Sequence, residues 1–134
     1  MPNEHLFRFQ PTNTTNEAQS QQPNQHLFRF QQTDIYLVAR ELARLVHEAK
    51  IRDRELRDQA TRAAKSCFLQ LSEGLPNDGI PLRNKYFVES RNSLAETVAA
   101  VDLAKTLGMM RPEQAHAIQA LASRVRRMLT ALLR

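Results

Sequence analysis

Cysteine is nearly absent from the chain: Cys67 stands alone among 134 residues. A single thiol closes no internal disulfide and builds no thiolate metal site, and it suits a reducing, cytoplasmic setting. Glycine is almost as scarce. From Gly74, Gly79 and Gly108 neither GxGxxG nor GxxxxGKS/T can be written, which excludes the glycine-rich phosphate loops. No apolar run approaches the ~18 residues of a membrane span. The N-terminus lacks the basic-then-apolar order of a signal peptide, so no membrane association is expected.

Catalytic groupings are missing too. The histidines are His5, His26, His47 and His116, and although His47 precedes Glu48, no second histidine completes HExxH. Cys67 falls on an apolar stripe, where a thiol is a small core residue before it is a nucleophile. The carboxylates of Asp53, Glu55 and Asp58 interleave with Arg52, Arg54 and Arg57, the pattern of a solvated, compensated helix face. A non-enzymatic protein is expected, with no catalytic residues, no cofactor and no metal.

What is present divides near residue 33. Residues 1–33 hold two arginines and two glutamates, so the net charge of +5 sits wholly in 34–134. Residues 10–25 are polar and read as a flexible linker, because they cannot offset ordering entropy by burial. The linker joins two copies of one motif, PNEHLFRFQPT at 2–12 and PNQHLFRFQQT at 23–33, with HLFRFQ identical in both. Eleven residues are too few to fold alone, so this is a duplicated docking motif and not a solenoid. Leu27, Phe28 and Phe30 are expected to pack on the first helix of their own chain. Leu6, Phe7 and Phe9 of the first copy are expected to reach an equivalent groove on a neighbouring subunit.

Residues 34–134 read as helices throughout. Proline is absent from 34–75 and 82–111, and the breakers gather in LPNDGIP (75–81) and GMMRP (108–112). A first helix starts at Thr33 or Asp34, with a stripe of Ile35, Val38, Leu42, Leu45 and Ala49. A second covers about 54–74, striped by Leu56, Ala60, Ala63, Cys67 and Leu71. No glycine or proline separates the two, and one continuous helix is the alternative. A third runs from about Pro81 to Leu107, with Phe87, Leu94, Val98, Val101 and Leu107 inside. A fourth runs from about Pro112 to the C-terminus on Ile118, Ala122, Val125, Leu129 and Leu132. Helices of this length with short links predict an all-α, antiparallel up-down four-helix bundle behind a largely unstructured tail. Leu37, Val46, Met109, Met110, Leu121, Met128 and Leu133 lie off these stripes and suggest a subunit interface, with a wide core-facing stripe as the alternative.

Two polar features remain. Ser66, Glu73 and Gly74 at the end of the second helix, and Ser93 and Glu96 on the third, suggest a buried polar contact that fixes register between them. Basic residues crowd the fourth helix at Arg124, Arg126, Arg127 and Arg134, and the second at Arg57, Arg62 and Lys65. Such cationic rows meet phosphates without reading sequence. Arg124 and Arg127, three apart, are expected to face the same way. No aromatic residue on these faces would stack bases.

The stretch ELRDQATRAAKSCFLQLSEG (55–74) and the later YFVESRNSLAETVAAVDLAKTLGMM (86–110) carry a resemblance. They resemble the four-helix-bundle proteins encoded in intervening sequences of 23S ribosomal RNA genes, whose relatives include accessory variability proteins of diversity-generating retroelements. Gln59, Arg62, Ala63, Ala64, Ser66, Glu73 and Gly74 match the family's second-helix motif. Cys67 replaces its isoleucine and Gln70 its asparagine. Phe87, Ser93, Leu94 and Glu96 match the third-helix motif. The resemblance implies a homopentamer that, in the retroelement branch, binds a reverse transcriptase and nucleic acid through basic surfaces.

The expected function is therefore a homo-oligomeric accessory subunit that binds nucleic acid electrostatically, RNA ahead of DNA. The alternative is a protein-interaction scaffold whose HLFRFQ motifs dock on neighbouring bundles or on a partner protein.

Overall fold

The computed structural model describes residues 26–133. Leu6, Phe7 and Phe9 of the first repeat, and Arg134, lie outside the described residues. A 3₁₀ turn at Arg29–Gln32 leads into α1 (Asp34–Ala49), α2 (Arg54–Gly74), α3 (Ile80–Thr106) and α4 (Pro112–Leu132). No strand forms among the described residues. The helices pack as an antiparallel up-down bundle in the ring α1–α2–α3–α4, with the α2–α3 contact the most extensive. Thus α2 and α4 face each other across a diagonal. The α1–α2 and α3–α4 turns share one end, and the 3₁₀ turn shares the other with the α2–α3 loop.

Caps explain where the helices start. Thr33 Oγ1 accepts from the Tyr36 N–H at 3.4 Å, and Asp53 Oδ2 accepts from the Leu56 N–H at 2.9 Å. Each such cap contributes about 1 kcal/mol. The uncertain boundary between α1 and α2 is a true break. Lys50 ends α1 in the left-handed region at φ 49°, Ile51 turns inward to complete burial, and Asp53 opens α2.

The stripes form the core: Val38, Leu42, Ala60, Cys67, Leu71, Phe87, Val101, Ile118, Val125 and Leu129 are all buried. Leu107 departs from expectation. It lies past the end of α3 and is exposed, because that helix ends at Thr106. The off-stripe residues also resolve differently. Val46 and Met110 are buried in the core, and Met109, Leu121, Met128 and Leu133 pack partly against it. A wide core-facing stripe accounts for these six, whereas Leu37 is half-buried and outside the core cluster. The exposed large apolar residues stand elsewhere, at Leu69 on α2 and at Ile80, Leu82, Val88 and Leu103 on α3. Being apolar on both inner and outer faces, α3 is scarcely amphipathic.

The α2–α3 seam is close because its residues are small. At Gly74 a Cβ would stand 2.7 Å from Phe87 Cε1, so only glycine lets the ring lie there. Ser66 and Ser93 meet Oγ to Oγ at 3.0 Å, and Ser90 Oγ donates to the Cys67 carbonyl at 2.7 Å. Ser90 also lies 3.4 Å from the Cys67 Sγ. A polar contact between the two helices therefore exists, and the serines make it. Glu73 and Glu96 point outward and are exposed.

Candidate nucleic-acid interface

The end that carries the α1–α2 and α3–α4 turns forms a concavity lined by several cations. Its construction begins with Lys50. A side-chain-bearing residue in the left-handed region costs roughly 1–2 kcal/mol, and the turn it makes buries Ile51 fully. The segment is then stitched to its neighbour. The Arg52 N–H donates to the Met109 carbonyl at 3.0 Å, and the Arg52 guanidinium donates to the Gly108 carbonyl. Arg57 Nη1 donates to the Ile51 carbonyl at 3.0 Å. Gly108, at φ 70°, supplies the matching left-handed residue after α3.

Lys50, Arg52, Lys105 and Arg111 thereby line a shared pocket of about 660 Å³, floored by Ala49, Met109 and Met110. Glu48 is the one carboxylate in its wall, and that group already accepts from Arg44 Nη1 at 2.8 Å. Arg44 also donates to Glu41 at 2.5 Å, and its hydrogen bonds to the two glutamates raise the guanidinium pKa. Lys105 is held loosely, its Nζ 3.7 Å from Asp102 Oδ1. Lys50 and Lys105 have a structural role as well, since they sit at helix C-termini where cations oppose the dipole. The pocket thus gathers four cationic side chains beside one carboxylate.

The basic residues singled out from sequence do not form one surface. Arg124 is buried, with 3% of its surface exposed, so its guanidinium belongs to the packing of α4 and not to a row with exposed Arg127. At a helix position whose neighbour Val125 is also buried, the stripe is simply wide enough to take it. Arg57 is half-buried and engaged with the Ile51 carbonyl. Arg62 and Lys65 are exposed on α2, and Arg126 and Arg127 on α4, across the diagonal of the bundle. Arg126 instead faces Arg91 across a groove between α3 and α4, lined by Ala95, Ala99 and Ser123.

Sequence reading missed the pocket because its cations come in two pairs far apart, each looking like ordinary helix-end charge. The signal was available: in an up-down bundle the first and third turns must lie at the same end.

At the opposite end, the second repeat divides. Phe30 is half-buried and sits edge-on to Tyr36 at 5.6 Å, and Tyr36 in turn packs on Phe68 at 4.9 Å. Phe28 leans edge-on against Phe30 at 5.9 Å but is 67% exposed, and Leu27 is exposed as well. Only Phe30 docks as expected.

Cys67 is buried, and burial pushes its thiol up to about 11, against a smaller lowering by Ser90. No group of three metal-ligating side chains gathers among the described residues, and no described helix is long and apolar enough to cross a membrane.

Comparison with curated proteins gives no match. A family model described as 23S rRNA-intervening sequence protein matches residues 31–131, which takes in half of the 3₁₀ turn and all four helices but for Leu132, the last residue of α4. With that match across the bundle, the chain belongs to the 23S rRNA-intervening sequence protein family.

Proposed function

We propose that the protein is a non-enzymatic RNA-binding subunit that grips phosphates of a structured RNA at the turn end of its bundle. The observation that carries this reading is the convergence of Lys50, Arg52, Lys105 and Arg111 on one pocket whose single carboxylate is already engaged. Such a site supplies affinity and orientation without base readout, so it suits a folded RNA better than a defined single-stranded sequence. Ribosomal RNA is the natural first substrate, given the family's name.

Assembly would multiply the effect. Leu69, Leu82, Val88 and Leu103 leave apolar surface open on α2 and α3, and a homo-oligomer closed over it would repeat the cationic ends around a ring. Several weak phosphate sites held together bind far more tightly than one. The test is a titration of a fluorescent fragment of structured ribosomal RNA at low and moderate salt. Affinity that falls steeply with salt supports the reading, and absence of binding at low salt rejects it.

A further inference from the structure

We propose that the apolar pocket at the tail end of the bundle is the docking site for the first HLFRFQ repeat, residues 5–10, of the same chain. The pocket encloses about 740 Å³ and is walled mainly by Phe28, Phe30, Ile35, Leu75, Met128 and Leu132. A concavity of that size and character holds several apolar side chains.

The occupant is identified by chemistry that the bundle already displays at this spot. The second copy of the same hexapeptide puts Phe30 against Tyr36 and thereby onto Phe68. It leaves Phe28 edge-on to Phe30 and largely uncovered, as one wall of the pocket. An aromatic pair with one open face takes a further ring edge-to-face or offset. Leu6, Phe7 and Phe9 supply a leucine and two such rings. Charge neither favours nor opposes the match, since Asp34 and Asp78 stand at the pocket beside Arg29 and Arg83.

Chain length selects the source. Fifteen residues separate Gln10 from His26, and His26 lies two residues from the pocket wall at Phe28. Those fifteen span up to about 50 Å, far more than the return requires. A segment tethered this closely sees its site at an effective concentration of order millimolar. A repeat from a free molecule, at ordinary protein concentrations, does not compete with that, and a repeat from a neighbouring subunit of an oligomer is told apart by mixing labelled and unlabelled chains. The duplication then has a physical meaning: one copy builds the wall and the other fills the pocket. The site lies at the opposite end from the phosphate pocket, so it stands or falls independently of RNA binding.

The experiment uses the full chain labelled with ¹³C at the methionine methyls, with Met128 assigned by Met128→Leu. Met128 lines the pocket, whereas Met109 and Met110 sit at the far end and serve as controls. Wild type is compared with Phe7→Ala/Phe9→Ala, which removes both rings of the first repeat. The expected result is an upfield ring-current displacement of the Met128 methyl in wild type that the double variant loses, with Met109 and Met110 unmoved. In oligomers mixed from labelled double-variant chains and unlabelled wild-type chains, the labelled Met128 methyl should stay undisplaced. Adding a peptide of residues 2–12 to the double variant should restore the displacement. An identical Met128 resonance in wild type and variant overturns the proposal. So does a displaced Met128 methyl in labelled variant chains mixed with unlabelled wild type, which would assign the repeat to a second copy of the chain.

Discussion

Gly74 and Phe87 are in contact that leaves no room for a methyl group: a Cβ on Gly74 would lie 2.7 Å from the ring. Gly74→Ala would gain about 1 kcal/mol of helix propensity, yet Phe87 is fully buried and has nowhere to retreat. Overpacking of this kind costs roughly 1–3 kcal/mol. The net expectation is a lower Tm in thermal unfolding followed by circular dichroism. A raised Tm would mean that the α2–α3 seam is looser than described.

Cys67 should be chemically silent while the protein is folded. Its thiol is buried and pushed up to about 11, so little thiolate exists near neutral pH. Modification by a thiol reagent at pH 8 should proceed at the rate of unfolding, not at that of a free thiol. The sign of the pH effect follows from linkage. The folded thiol has the higher pKa, so the unfolded chain releases its proton first. Stability is then full below the ordinary thiol range and declines as pH rises from there toward 11. Cys67→Ala should remove that part of the alkaline decline, measured as Tm at pH 7 and at pH 10.

Much of the fold was legible because the bundle obeys one period. The 3-4 spacing of Ile35, Val38 and Leu42, and of Ile118, Ala122 and Val125, states which faces meet, and all six are buried. The breakers Pro76, Gly79, Gly108 and Pro112 mark four of the six helix ends that the three turns join. Lys50 was harder. It adopts a glycine-like backbone without being glycine, and tertiary bonds from Arg52 to Met109 and Gly108 hold it there. Those bonds link residues more than fifty apart, which no local pattern reveals. Arg124 misled for a related reason: charge type suggests an exterior, but its position on α4 adjoins buried Val125. Ser66 and Ser93 were picked out as polar residues amid apolar ones, and they do meet across the seam. Glu73 and Glu96, picked out with them, face solvent.

Arg124 and Arg127 should now separate experimentally. Arg124→Ala removes a buried side chain and should destabilise by roughly 1–3 kcal/mol, a fall of several degrees in Tm. Arg127→Ala alters an exposed position and should leave stability within about 0.5 kcal/mol of wild type. Parallel melts of the two variants check this, and equal stability would place Arg124 at the surface.

The phosphate pocket admits a test that does not damage the fold. Lys50 occupies φ 49°, where glycine is relaxed, so Lys50→Gly should hold or raise Tm while removing a charge. Combined with Lys105→Gln and Arg111→Gln it strips the pocket of three cations and spares Arg52, which ties the two turns together. The decisive measurement is the slope of log affinity against log salt for a structured ribosomal RNA fragment, in wild type and in this triple variant. The account predicts weaker binding and a slope flatter by roughly 0.9 for each phosphate that the variant no longer neutralises, with Arg126→Gln/Arg127→Gln changing it less. A triple variant that keeps both wild-type affinity and wild-type slope would contradict the assignment of this end of the bundle to RNA.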